Sequence, residues 1–354
     1  MAHKWTPSGD DDQHRSGDEP APGQPGEQPG LRGPDSRVEE RAPDAPTRLT
    51  RDSWRRVLRG TLREYKKDEL GDRAAALTYY GILALFPALL VFVSLLGVTG
   101  HSTSQRVIDS VRQLAPGAAR DVLVKGIGQV QSSAGLGSVL AVVGVLGALW
   151  SASGYVAAFI RAANAVYDVP EGRPAWKVLP IRVGVTLALL LMACACGIIL
   201  VFSGSVAKRA GDVVGLGGGA LTAWSYAKWP VLVILVVLMI GLLYWAAPNA
   251  RTKGFAWVST GSLLALLIWG VASALFALYV ANFSSYNKTY GSLAAVIIFL
   301  VWLWLTNTAI LLGLEFDAEL HRERAALGGF PRGREPYVRP RDTTKADDEG
   351  QQGS

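Results

Sequence analysis

Residues 292–314 read SLAAVIIFLVWLWLTNTAILLGL, twenty-three positions without Asp, Glu, Lys, Arg or His. As an α-helix rising 1.5 Å per residue, this run covers about 35 Å, enough to cross a hydrocarbon core of about 30 Å. Similar runs lie at 74–98, 136–160, 181–203, 229–247 and 255–280, and their interiors also lack ionisable side chains. A soluble chain of 354 residues would spread polar positions through all its elements. Here they collect at the ends and in short connections, and the mean hydropathy is +0.24 despite two polar tails. The expectation is an all-α polytopic membrane protein with six transmembrane helices, because only helices and closed barrels satisfy every backbone group inside lipid.

Outward from these runs, residues 1–50 and 326–354 are rich in Pro, Gly and charge and are expected to be disordered tails, too poor in apolar side chains to offset ordering entropy. Residues 51–73 differ. Trp54, Val57, Leu58, Leu62 and Tyr65 recur at helical spacing among Arg55, Arg56, Arg59, Arg63, Lys66 and Lys67. The pattern predicts an amphipathic helix, either lying on an anionic membrane surface or packing on other segments of the same side. The membrane domain proper spans 74–325. Between its first two runs, two short amphipathic patterns separated by Pro116-Gly117 predict an outer helical hairpin at 104–131.

Lys and Arg near the run ends number 17 on one side and 8 on the other. The denser set marks the cytoplasm, so a multi-pass protein of the bacterial inner membrane with both termini inside is expected. The first apolar run begins only after some seventy residues, and it is expected to act as an uncleaved insertion signal. The two cysteines, Cys194 and Cys196, sit two apart on one helix and point away from each other, so they read as small apolar fillers.

The lack of intramembrane charge argues against an ion-coupled pump built on buried carboxylates, and leaves substrate-gradient transport or backbone-coordinated sodium open. The remaining polar residues gather where runs meet the cytoplasm: Arg73 at the start of the first, Arg161 and Asn164 at the end of the second, Asn249 and Arg251 after the fourth, Glu315 after the sixth. In a closed bundle they would ring an inner mouth, with Glu315 facing Arg161, Arg73 or Arg251. Ordinary interfacial snorkelling and capping is the alternative. Tyr79, Tyr80, Tyr155 and Asn307 line a cavity or hydrogen-bond between helices, and Pro87 predicts a kink in the first run. Gly144, Gly147, Ala148, Ser151 and Gly154 predict close helix packing in the second. The outer loop carries Asn287, Lys288, Tyr290 and Gly291 and suits an interfacial aromatic belt. The four histidines have no metal-ligand spacing, and no catalytic residue, metal centre or cofactor is expected.

Several stretches together resemble the YihY/BrkB family. They are Ala74-Ala-Ala-Leu-Thr-Tyr-Tyr80 with Leu85-Phe-Pro87, Ser153-Gly-Tyr155 with Arg161-Ala-Ala-Asn164-Ala-Val-Tyr167, and Tyr244 with Ala247-Pro-Asn-Ala-Arg251. Ser285-Tyr-Asn-Lys-Thr-Tyr-Gly-Ser-Leu293, Trp302-Leu-Trp304, Asn307 and Leu312-Gly-Leu-Glu315 complete the set, so the likeness runs over about 53–325. It implies a six-span inner-membrane protein tied to envelope integrity or serum resistance, with transport or lipid-related roles. Members of the family have also carried a ribonuclease BN label, and the residues here supply neither a metal-dependent nuclease centre nor a basic, aromatic RNA groove. The expected function is handling of a lipid or other amphiphile through a helical bundle with a polar cytoplasmic mouth. A non-transporting envelope scaffold is the alternative. Partners would be membrane lipids, an amphiphilic substrate, envelope proteins or a second copy of the chain, and no nucleic acid.

Overall fold

The computed structural model describes residues 33–98, 138–201, 218–252, 254–282 and 293–345. Every regular element among them except one 3-10 turn at Pro46–Arg48 is an α-helix: α1 Ser36–Arg41, α2 Arg51–Lys67, α3 Leu70–Val98, α4 Ser138–Val166, α5 Ala175–Val201, α6 Gly218–Ala246, α7 Gly254–Asn282 and α8 Leu293–Leu327. The expected outer hairpin at 104–131 and the outer-loop residues Asn287, Lys288, Tyr290 and Gly291 lie outside the described residues, as do 1–32 and 346–354.

The six long helices pack in a closed ring, each against the next in chain order and α8 back against α3. Four helices are long and apolar enough to cross a membrane over described residues: Ala175–Leu200, Thr222–Ala246, Thr260–Ala281 and Val296–Leu327. Large apolar side chains such as Leu191, Ile234, Leu267 and Leu275 stand more than half exposed on the outside of the ring. A protein surrounded by water rarely shows so continuous an apolar exterior, whereas lipid requires one.

Helix α8 is 35 residues long, about 52 Å at helical rise, which is much more than hydrocarbon thickness. Its apolar part ends at Leu314, so residues 315–327 continue as a polar stem, and the other polar segments dock there. Helix α2 begins at Thr50, whose Oγ1 accepts the Ser53 N–H at 3.2 Å. It turns a stripe of Ser53, Val57, Gly60, Thr61 and Glu64 towards α8. Trp54 stacks on Phe316 at 6.0 Å, while Leu58 and Leu62 point outward at 51% and 69% exposure.

Helices α7 and α8 approach closely. A Cβ on Gly313 would fall 2.5 Å from the Gly261 carbonyl, and one on Gly261 would fall 2.4 Å from the Asp317 carboxylate. Two of the small residues of α4 differ in how closely they are approached. Gly154 leaves room for Tyr80, but Gly147 has open space beside it.

The tail boundaries need correction. Residues 34–49 and 328–345, expected to be disordered, pack on the stem. Tyr337 and Val338 are buried, and the Tyr337 hydroxyl donates to the Val166 carbonyl at 3.1 Å. Arg251 and Arg341 N–H groups donate to the Arg339 and Asn249 carbonyls at 2.8 and 2.9 Å, with a bridge between Ala250 and Pro340. Arg324 holds the Pro43 and Glu39 carbonyls. Such segments cannot build a core of their own, but they complete one whose other wall is already folded.

Candidate functional site

The polar end of the ring brings some of the expected mouth residues together and separates others. Asn164, near the end of α4, accepts the Asn249 backbone N–H on its Oδ1 at 2.7 Å and donates to Glu171 at 2.8 Å. The Asn249 side chain in turn donates to the Pro170 and Asp342 carbonyls and accepts the Asp342 N–H. Glu171 also grips Arg173, which reaches the Ala247 carbonyl at 2.8 Å. Both asparagines are buried and their polar atoms satisfied, so this cluster fastens α4, the end of α6 and the carboxy-terminal segment. It is a staple, with no open mouth between its members. Asp342 also pairs with Lys177, and that hydrogen bond, with help from Thr344, holds its carboxyl down at about 2.

Glu315 meets none of the three arginines expected to face it. The turn from α2 into α3 puts the Asp68 carboxyl beside it instead. Burial pushes the Asp68 carboxyl above its ordinary range. Arg73 instead donates to the Asp68 carbonyl at 2.7 Å. The centre of this region is Arg322, which sequence reasoning overlooked. It meets Glu319 at 2.5 Å, Asp168 at 2.9 Å, Glu64 at 3.6 Å and Glu335 at 3.8 Å, and lies 4.5 Å above the Tyr337 ring. Asp168, which ends α4 with φ of 51°, is pushed up to about 6 by burial and by the nearby Glu335. The only trace of this hub in the sequence is the Glu319–Arg322 spacing on one helix face. Asp168, Glu335 and Tyr337 come from segments that no periodicity connects.

Asn307 lies inside the ring. It accepts the Tyr155 hydroxyl at 2.9 Å and donates to Thr78 at 3.1 Å, tying α8 to α4 and α3. Of the two open readings, hydrogen bonding between helices is the one observed.

A second group faces outward in the groove where α3, α4 and α5 meet. The exposed Arg161 guanidinium stands 5.8 Å from the Tyr80 ring centre, and Tyr79 packs edge-on to Tyr80 and is largely exposed. Across the groove, Arg182 donates to Ser153 at 2.7 Å and to the Trp150 carbonyl at 3.3 Å, and covers the Trp150 ring at 4.7 Å. The two guanidinium groups feel each other's charge, and among the described residues no carboxylate lies within 4.0 Å of either. Arg251 is exposed beside the carboxy-terminal segment, away from this pair. Pro87 lies within α3, and its side chain is outside the described residues.

Among the described residues no group of three or more His, Cys, Asp or Glu is arranged to hold a metal ion. A family model described as virulence factor BrkB matches residues 61–336. The chain is 31% identical over 260 residues to a protein of Bacillus subtilis named putative ribonuclease-like protein YfkH, covering 73% of this chain and 93% of that one. It is also 31% identical over 275 residues to a UPF0761 membrane protein of Alkalilimnicola ehrlichii, and 25% identical over 288 residues to one of Acinetobacter baylyi. These matches span 59% and 62% of the two UPF0761 proteins, so the chain corresponds to about three fifths of their length. No solved structure matches.

Proposed function

This chain belongs to the virulence factor BrkB family and is a membrane protein, and we propose that it handles an anionic amphiphile in the bacterial inner membrane. In this reading all six long helices span the bilayer and both termini are cytoplasmic, as the Lys and Arg asymmetry requires. Helix α2 lies at the inner interface, with Leu58 and Leu62 dipping into lipid. The observation that carries the proposal is the Arg161–Arg182 pair. Two like charges beside Tyr79, Tyr80 and Trp150, on a lipid-facing groove and without a carboxylate, form a receptor for a phosphate-bearing headgroup. The apolar faces of α3, α4 and α5 would carry the acyl tails.

The test is the full-length protein reconstituted in phosphatidylcholine vesicles containing a fluorescent phosphatidylglycerol. Arg161→Gln should cut lipid transfer about tenfold or more, because a charge-assisted pair of hydrogen bonds is lost. Transfer at the original rate would reject the headgroup role. A non-transporting envelope-integrity protein, working through envelope partners or a second copy, is the second reading. It is favoured by the staple of Asn164, Asn249 and Asp342 that fastens the polar end. No enzymatic step is assigned, and the ribonuclease-like name stays with the Bacillus protein that bears it.

A further inference from the structure

Between α2 and the stem of α8 lies a cavity of about 490 Å³, within the range of pockets that hold small ligands. Arg56, Arg59 and Arg63 come from one face of α2, Arg322 from α8, and Arg332 and Arg334 from the loop that follows. Two carboxylates, Glu319 and Glu323, share the lining, and Glu64, Asp168 and Glu335 stand behind it within 4.0 Å of Arg322. Glu323 is shared between Arg56, at 2.7 Å, and Arg332, at 3.0 Å, while Glu319 is engaged by Arg322. Arg63 turns to Glu64 at 3.0 Å. Among the described residues Arg59 and Arg334 have no carboxylate within 4.0 Å, so the cavity keeps a surplus of positive charge in a walled cleft that focuses its field.

We propose that this cavity binds a multiply charged phosphate-bearing anion, with Arg59 and Arg334 as its principal contacts. The two guanidinium groups that no carboxylate reaches, on α2 and on the loop after α8, favour an anion in the cleft they both line. Their planar forks match phosphate oxygens two at a time. A single carboxylate would meet only one of the two unpaired arginines, whereas a diphosphate or a similar group can meet both. Gly60 is one condition for the opening, because a Cβ there would press into the Glu319 side chain. The ligand's phosphate could arrive on a soluble molecule or on a lipid headgroup. The site shares no residue with the Arg161–Arg182 groove and does not depend on that assignment.

The experiment uses the full-length chain purified in a neutral detergent and titrated calorimetrically with inorganic pyrophosphate and, separately, with dihexanoyl phosphatidic acid. Wild-type protein should bind at least one of them saturably, and the Arg59→Gln/Arg334→Gln variant should bind it about tenfold or more weakly. Both side chains are exposed, so the substitution strands no buried partner. Arg55→Gln, on the same helix but outside the cavity, should bind as wild type. Pyrophosphate binding alone assigns a soluble ligand, binding of the lipid alone assigns a headgroup, and binding of both assigns the phosphate chemistry common to them. Binding of neither probe, equal binding by the double variant, or an equal loss in Arg55→Gln would each overturn the proposal. If the double variant does not elute as a folded species, Arg334→Gln alone must show the loss. Arg161→Gln should leave the pyrophosphate titration unchanged, which separates its outcome from that of the lipid-transfer assay.

Discussion

Asn164 accepts the backbone N–H of Asn249 at 2.7 Å across 85 residues of sequence, and it does so where both are buried. One side chain thereby joins the end of α4 to the end of α6, and through the Asn249 amide to the carboxy-terminal segment. Removing a buried partner costs more than the hydrogen bond itself, because the group left behind has lost its water as well.

Asn164→Ala should therefore lower stability by about 1–3 kcal/mol, with the buried Asn249 N–H left unmet and Glu171 Oε2 left to Arg173 alone. A detergent-phase melting curve reads the loss. Asn164→Asp keeps the acceptor but sets a carboxylate against Glu171, and it should rescue little. Full rescue by aspartate would mean that the Glu171 contact is idle.

Gly261→Ala and Gly270→Ala, nine residues apart on α7, should behave oppositely. A Cβ at Gly261 meets the Asp317 carboxylate and the Gly313 carbonyl at 2.4 Å, whereas one at Gly270 meets nothing within 4 Å. The first should cost about 1–3 kcal/mol through overpacking, and the second should be neutral or mildly stabilising because alanine favours helix. Melting temperatures that rank the two variants the other way would show that α7 and α8 do not approach as described.

Asp168 supplies a pH signature. Its folded carboxyl titrates at about 6 rather than 3.8, so the folded chain holds this proton more tightly than the unfolded chain does. Its contribution to stability is fully present below pH 3.8 and disappears as pH rises through about 6. Asp168→Asn mimics the protonated form and suits the left-handed backbone at φ of 51°. It should flatten the dependence of the melting temperature on pH between about 4 and 6 and should not destabilise at pH 7.5. An unchanged slope in the variant would place the titration elsewhere.

Shortening the chain to end at Gly329 tests the carboxy-terminal segment. Tyr337 and Val338 would leave the core, and the Asn249 carbonyl and side chain would lose Arg341 and Asp342. Faster amide exchange is expected at the end of α4 and around 247–251, with exchange in α7 little altered. Protection that survives truncation at 247–251 would mean that the segment only rests on the surface.

The six apolar runs and the long helices found over them depend on the same local quantity, mean hydropathy over about twenty residues, so they could be read position by position. Glu315 shows where such reading ended. Its placement after the sixth apolar run was legible, but its neighbour depends on the α2–α3 turn, and a carboxyl rather than an arginine lies beside it. The tails failed for a related reason. Composition reports whether a segment can bury itself, and Tyr337 is buried by the surface that Val166 and Tyr167 had already built.

The sequence by itself determined that hydrocarbon is the solvent for most of this chain, because transfer of apolar helices into lipid depends on composition and length alone. It also marked Arg161, Asn164, Asn249 and Asn307 as the polar residues of interest. Only the tertiary structure decided what each does. Asn164 and Asn249 form a buried staple, Asn307 ties three helices together, and Arg161 stands exposed against the Tyr80 ring near Arg182. The arginine cavity likewise exists only once α2 lies along α8. Coulomb and hydrogen-bond energies depend on distances between segments that the chain order leaves undefined, and those distances are set by how the helices close the ring.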